Sequence, residues 1–186
     1  MARYVSLTTL LCMMLIAAMS FAGTRHACAA SAAELNHEVD QALHTLLAKS
    51  ESARTLAEKA KGVLVFPSIT KAGFIVGGQY GQGALRVDGK TVGYYSSVAA
   101  SYGLQVGVQK FSYALFFMSD SALKWLDKSD GWELGTGPSI VIVDVGAARS
   151  LSTTTGQSDV YAFFFSQKGL MAGIGLQGTK VTKINK

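Results

Sequence analysis

The stretch KAGFIVGGQYGQGALRVDGK, Lys71 to Lys90, has the composition of a phosphate-binding loop: glycine-rich, flanked by lysines and entered from a strand-like run. A dinucleotide fingerprint needs G-x-G-x-x-G between a strand and a helix, because the helix N-terminus holds the pyrophosphate. Gly78, Gly81 and Gly83 stand in the reverse order, and ALRVDGK, which follows, reads as a strand entering a hairpin turn. No Gly-Lys-Ser/Thr closes a Walker loop. These glycines, like Gly103, Gly107, Gly173, Gly175 and Gly178, read instead as permitting bends, bulges or close strand packing in a small, strongly curved sheet.

Other chemistries fare no better. Beyond the first thirty residues the histidines are His37 and His44, on the helical face opposite the apolar stripe. A two-histidine metal site with Glu34 or Glu38 is geometrically open, but solvated surface histidines are the simpler reading. A Ser-His-Asp triad would have to use that exposed helix. Asp120, Asp127, Asp130 and Glu133 gather around one short helical segment without forming a glycosidase-like pair. Asp144 interrupts SIVIVDVG and reads as a strand end or as a partner of Arg149. Tyr94, Tyr95, Tyr102, Phe116 and Phe117 lack the interleaved cations of a nucleic-acid platform. We therefore expect no catalytic residue, no metal site and no cofactor.

The elements that would position any site follow from periodicity. Leu35, Val39, Ala42, Leu46, Ala53, Ala57 and Ala60 form one stripe at helical spacing, with Ser50 and Ser52 as a candidate break into two helices. Gly62 ends the pattern. Beyond Pro67, short Val-, Phe- and Tyr-rich runs alternate with glycine and polar residues. Strands are expected at 62–66, 73–78, 83–87, 92–99, 104–108, 113–118, 139–145, 160–165 and 170–176. VDGK (Val87–Lys90) is a tight hairpin turn, and SQKG (Ser166–Gly169) reads as another. SDSALKWLDK is a short helix capped by Ser119. The fold class is α+β: an N-terminal amphipathic helix or helix pair, then a curved, mostly antiparallel, glycine-rich sheet or barrel-like region with one short helix.

The N-terminus reads as an export signal: Arg3, an uncharged apolar run from Val5 to Ala22, then small residues around RHACAAS. Cleavage after Ala29 or Ala30 is expected, making residues 1–30 a signal peptide and residues 31–186 one domain. Cys28 is a lipidation candidate, although Arg25 occupies the position where a lipoprotein signal wants an aliphatic residue. Cys12 and Cys28 both fall in this leader, so the exported part offers no disulfide or thiol nucleophile. Without Arg3 and Arg25 there are 15 basic against 12 acidic side chains, a mild positive bias. The helical segment carries more acid than base. The cations concentrate at Lys59, Lys61 and Lys71, and at Lys168, Lys180, Lys183 and Lys186.

KAKGVLVFPSITKAGFIVGGQYGQGAL, YGLQVGVQKFSYALFFMSDSALKWL and YAFFFSQKGLMAGIGLQG resemble the SYLF domain family, over about Leu56 to Lys183. The resemblance implies a non-enzymatic domain that binds phosphoinositides or other acidic lipids; some eukaryotic members also bind actin filaments. For an exported bacterial member it implies peripheral association with anionic lipid headgroups such as phosphatidylglycerol or cardiolipin, in the periplasm, at the outer membrane, or secreted towards a host surface. It does not imply actin or nucleic acid. Two departures stand out: the N-terminal helix is not net basic, and VDVGAAR (Val143–Arg149) replaces the eukaryotic A-G-P-x-G-R. An envelope structural or protein-interaction module is the alternative. An outer-membrane barrel is remoter, since such chains commonly end in an aromatic residue and this one ends KINK.

Lys59, Lys61 and Lys71, which bracket the helix-to-strand junction, and Lys168, at the expected second turn, are the candidate lipid-binding residues. All four are expected at the surface. Intact-mass measurement on the exported protein tests the leader: a chain starting at Ala30 or Ser31 without acyl mass is expected, and a diacyl or triacyl addition on Cys28 would overturn it.

Overall fold

The computed structural model describes residues 31–128, 130–144, 158–169 and 178–186. Helix α1 (Ala32–Lys49) starts where the Ser31 hydroxyl accepts the Glu34 N–H at 3.1 Å. Glu34 in the first turn and Lys49 in the last suit the helix dipole. Ser50 is extended, closing α1 through its N–H to the Leu46 carbonyl and opening α2 (Glu51–Ala57) by accepting the Ala53 N–H. The break foreseen at Ser50 is thus a double cap. Leu35, Val39, Leu46, Ala53 and Leu56 are buried along one stripe.

Strands β1 (Gly62–Val87) and β2 (Lys90–Phe117) form a long antiparallel hairpin. Its turn has Asp88 at φ 49° and Gly89 at φ 75°, as the Asp-Gly pair dictates. The six segments read as separate strands in this region are continuous parts of these two. Helix α3 (Asp120–Leu123) and a 3-10 turn (Lys124–Asp127) follow, capped by Ser119. Then come β3 (Trp132–Glu133), β4 (Ile140–Asp144), β5 (Val160–Gly169) and β6 (Lys180–Ile184). The sheet runs β3-β6-β2-β5-β4 with β1 on β2, and β4 pairs β5 in parallel. SQKG is therefore not a turn: β5 continues through it, with Ser166 at φ 55° in a bulge opposite the Lys110–Ser112 step of β2. The strand expected at 170–176, the Asp144 side chain, Arg149 and Cys28 lie outside the described residues.

Strands of this length survive only by bending. β1 shifts register at Phe66/Ile69, Phe74/Val76 and Leu85/Arg86, and its second arm returns over its first. A Cβ on Gly83 would lie 2.3 Å from the Val65 carbonyl oxygen, and one on Gly81 would lie 2.5 Å from that of Ser68. The glycines are there for close approach of the strand to itself. Between the arms sits the core: Leu64, Phe66 and Ile69 from one, Leu85 and Tyr95 from the other, with Phe111, Tyr113, Leu115 and Phe117. Phe66 stacks on Tyr113 at 4.6 Å, and Tyr113 donates to Ser97 at 2.7 Å. Trp132, Leu126 and Ala122 close one side. Tyr95, Phe116 and Phe117, weighed above as stacking platforms, are buried.

The opposite, outer face of the hairpin carries α1. Asn36 donates to the Tyr94 hydroxyl at 2.9 Å, and Arg86 bonds Asp40 at 2.5 Å and the Asn36 carbonyl at 3.1 Å. Further along α1, Gln41 and Thr45 face Pro67, Ser68 and Ser112. One helix therefore straddles both arms of β1. Helical cover on one side and core on the other explain why Val63 to Phe66 and Phe111 to Phe117 are buried without alternation.

Two predictions follow from this packing. Gly83→Ala should lower the unfolding free energy in urea by about 2 kcal/mol, an overpacking cost against fixed backbone. Gly78→Ala, whose Cβ would have the Ala99 oxygen at 3.7 Å as its nearest neighbour, should be neutral or slightly stabilising. Burial, helped by the Asp127 carboxylate, pushes the Tyr95 phenol up to about 12, and burial pushes Tyr113 further, opposed by its bond to Ser97. The unfolded chain then loses phenolic protons first, near 10.0, so stability should hold below that pH and fall above it. Denaturation midpoints taken against pH read this directly, and Tyr95→Phe should weaken the alkaline decline.

Candidate functional site

The four lysines singled out from the sequence are not brought together. Lys59 and Lys61 are exposed just after α2; the Lys59 N–H bonds the Leu56 carbonyl, and the Lys61 N–H bonds the Phe117 carbonyl at 2.7 Å. Thr70 lies eight residues into β1 from Gly62, on the order of 25 Å along the strand. Lys71 is a correction: it is 8 % exposed, not at the surface. The extra β1 residue between Phe66 and Ile69 reverses the alternation, so Ile69 and Lys71 point to the core face and Thr70 and Ala72 point outward. Lys71 pairs Gln109, itself buried, whose Oε1 has no hydrogen-bond partner.

Lys168 is exposed as expected, but as a strand residue and not at a turn tip. Here the Ser166 bulge is decisive. Val160, Ala162 and Phe164 face the core, and strict alternation would send Lys168 there too. The bulged residue shifts the register by one, so Lys168 pairs Lys110 on the outer face. The left-handed backbone at Ser166, costly for a residue with a Cβ, is what sets these two cations side by side.

Directly opposed residues have Cβ atoms about 5 Å apart, and like charges in that arrangement repel. Among the described residues neither Lys110 nor Lys168 has an ion-pair partner; the two salt bridges are Arg86–Asp40 and the exposed Lys183–Asp127. Thr70 completes this cross-strand row, and the next row holds the Ala72–Val108 pair, with Val108 58 % exposed. Farther along the same faces of β1 and β2, Val76, Tyr80 and Val98 are also exposed. The outer sheet surface beyond α1 thus combines apolar side chains with an unneutralised cation pair. Lys110 was missed from the sequence. The alternation of Phe111, Tyr113, Leu115 and Phe117 as core residues is the signal that would have placed it outward.

Beside this row, α1 and the sheet enclose a cleft of about 260 Å³ lined by Glu38, Gln41, Thr45, Pro67, Ser112 and Ser166, among others. Ser112 donates to the Pro67 carbonyl at 2.6 Å and Thr45 to the Gln41 carbonyl at 2.8 Å. Their oxygens remain able to accept. His37 and His44 are exposed, His37 against Gln41 at 2.9 Å. No cluster of metal-ligating side chains occurs among the described residues, and no described helix is long and apolar enough to cross a membrane.

Comparison with known proteins bears on this arrangement. Residues 98–186 match the model of the family described as Ysc84, Las17-binding protein actin regulator. Protein YSC84 of Saccharomyces cerevisiae is 29 % identical over 132 residues, an alignment covering 67 % of this chain and 28 % of the yeast protein. The chain thus spans under a third of that relative's length. The match takes in most of β2, both lysines of the cation pair, Ser112 and Ser166. In residues 98–186 and in its alignment with the yeast protein, the chain is similar to the Ysc84/SYLF family, a generally non-catalytic family associated with actin regulation and lipid binding.

Proposed function

We propose that this protein is a non-enzymatic, peripheral binder of anionic membrane surfaces, exported from a bacterial cell and acting at the envelope or a host surface. The observation that carries the reading is the outer sheet face, where Lys110 and Lys168 stand together, without an acidic partner among the described residues, beside exposed Val108. An anionic headgroup would relieve the repulsion between the two ammonium groups. The neighbouring Val108 offers modest apolar contact with the acyl boundary. Lys59 and Lys61, well separated along the strand, supply a second, independent electrostatic contact. The mild net positive charge and the apolar leader from Val5 to Ala22 agree with export and with acidic phospholipid as the partner.

Vesicle co-sedimentation tests the reading. Binding to anionic vesicles should exceed binding to neutral ones and should weaken as salt rises. At about 1 kcal/mol per lysine, Lys110→Gln with Lys168→Gln should cost about 2 kcal/mol, roughly thirty-fold in affinity. Lys59→Gln with Lys61→Gln should cost a similar amount independently. Equal recovery with neutral and anionic vesicles at low salt would refute the proposal.

A further inference from the structure

We infer that the cleft between α1 and the sheet, together with the Lys110–Lys168 pair, is one composite headgroup site, selective for phosphodiester lipids whose headgroup carries free hydroxyls. The inference rests on the anionic-surface reading and goes beyond it in assigning a pocket and a preference. Ser112 lines the cleft and lies two residues from Lys110 on the same face of β2, about 7 Å along the strand. Ser166 lines it from β5, two residues before Lys168. The cations and the cleft are therefore contiguous, and the Ser166 bulge holds both in place.

The lining fixes the chemistry. Two ammonium groups suit a phosphate. Lining the cleft, however, is the exposed Glu38, with no ion pair among the described residues, in the company of serine and threonine hydroxyls and the Gln41 amide. The hydroxyls of Ser68 and Ser166 make no hydrogen bond among the described residues. A carboxylate repels a second anionic group but accepts a hydroxyl donor strongly. A headgroup that places phosphate at the lysines and hydroxyls at Glu38, Ser68 and Ser166 satisfies both halves. A glycerol phosphodiester carries both kinds of group. A bare phosphomonoester meets the cations alone and leaves the cleft unused.

The test sets pocket chemistry against net charge. Vesicles with equal mole fractions of phosphatidylglycerol or phosphatidic acid in phosphatidylcholine are compared at neutral pH. Charge alone ranks phosphatidic acid first, because its phosphomonoester carries more negative charge. The composite site ranks phosphatidylglycerol first, by several-fold. Ala42→Leu, which fills part of the cleft, should abolish that preference by lowering phosphatidylglycerol binding to the level of phosphatidic acid, with the far-ultraviolet circular dichroism unchanged. Glu38→Gln should narrow the gap by strengthening phosphatidic acid binding. Anionic binding with phosphatidic acid equal or preferred, or a preference untouched by Ala42→Leu, overturns the composite site and leaves the surface reading standing. Absence of any anionic binding removes both. Binding of free glycerol phosphate without vesicle binding overturns the lipid source.

Discussion

The return of β1 over its own first arm is the constraint on which the rest of the molecule depends. Two hydrogen-bonded strands of 26 and 28 residues would, if straight, expose a long two-sided ribbon with little to bury. Folding the ribbon back encloses Leu64, Phe66, Ile69, Leu85 and Tyr95 between its halves. That closure needs backbone within van der Waals reach of backbone, and only glycine at positions 81 and 83 permits it. The placement of α1 follows from it, since a helix can bond Arg86 and Thr91 at one end and face Pro67 and Ser68 farther along only when the two arms lie side by side.

Bulges do the remaining positioning. Alternation alone assigns every strand residue a face, and a single inserted residue inverts all the assignments after it. The insertion between Phe66 and Ile69 turns Lys71 inward; the one at Ser166 turns Lys168 outward. The cationic row and the polar cleft are therefore products of local backbone irregularity in an otherwise regular hairpin. Strained or irregular backbone concentrated beside a candidate binding surface is what functional sites commonly show.

Much of the architecture was legible in the sequence because it depends on local chemistry. Ser31, Ser50 and Ser119 cap the helices as their hydroxyls allow, and Asp88-Gly89 makes the hairpin turn. The curled, mainly antiparallel sheet was also within reach. What escaped was non-local. A glycine that ends a strand and a glycine that lets one strand cross another look alike in one dimension, so the two long strands were read as six. β6 was overlooked because KVTKI buries only Val181 and shows two lysines to solvent. The bulges gave no signal, and with them went the burial of Lys71 and the partnership of Lys110 with Lys168. The SQKG turn failed for the same reason: Ser166 does adopt a turn-like conformation, but inside a strand that continues.

The connectivity of β2 also dictates an order of assembly. Its turn at Asp88-Gly89 joins residues adjacent in the chain, whereas its far end pairs Phe117 with Gly62, and its middle pairs Tyr94 with Ile184. Zipping can begin at the turn within microseconds, yet β6 lies far along the chain from the part of β2 it pairs with. Until it arrives, the 94–98 edge of β2 lacks that neighbour, and Trp132 lacks the strand its own segment pairs with. So high a share of distant pairings makes for slow folding. The sheet is complete only when segments far apart in the sequence have met, and until then the open edge of β2 is the part of the chain most prone to pair with another strand.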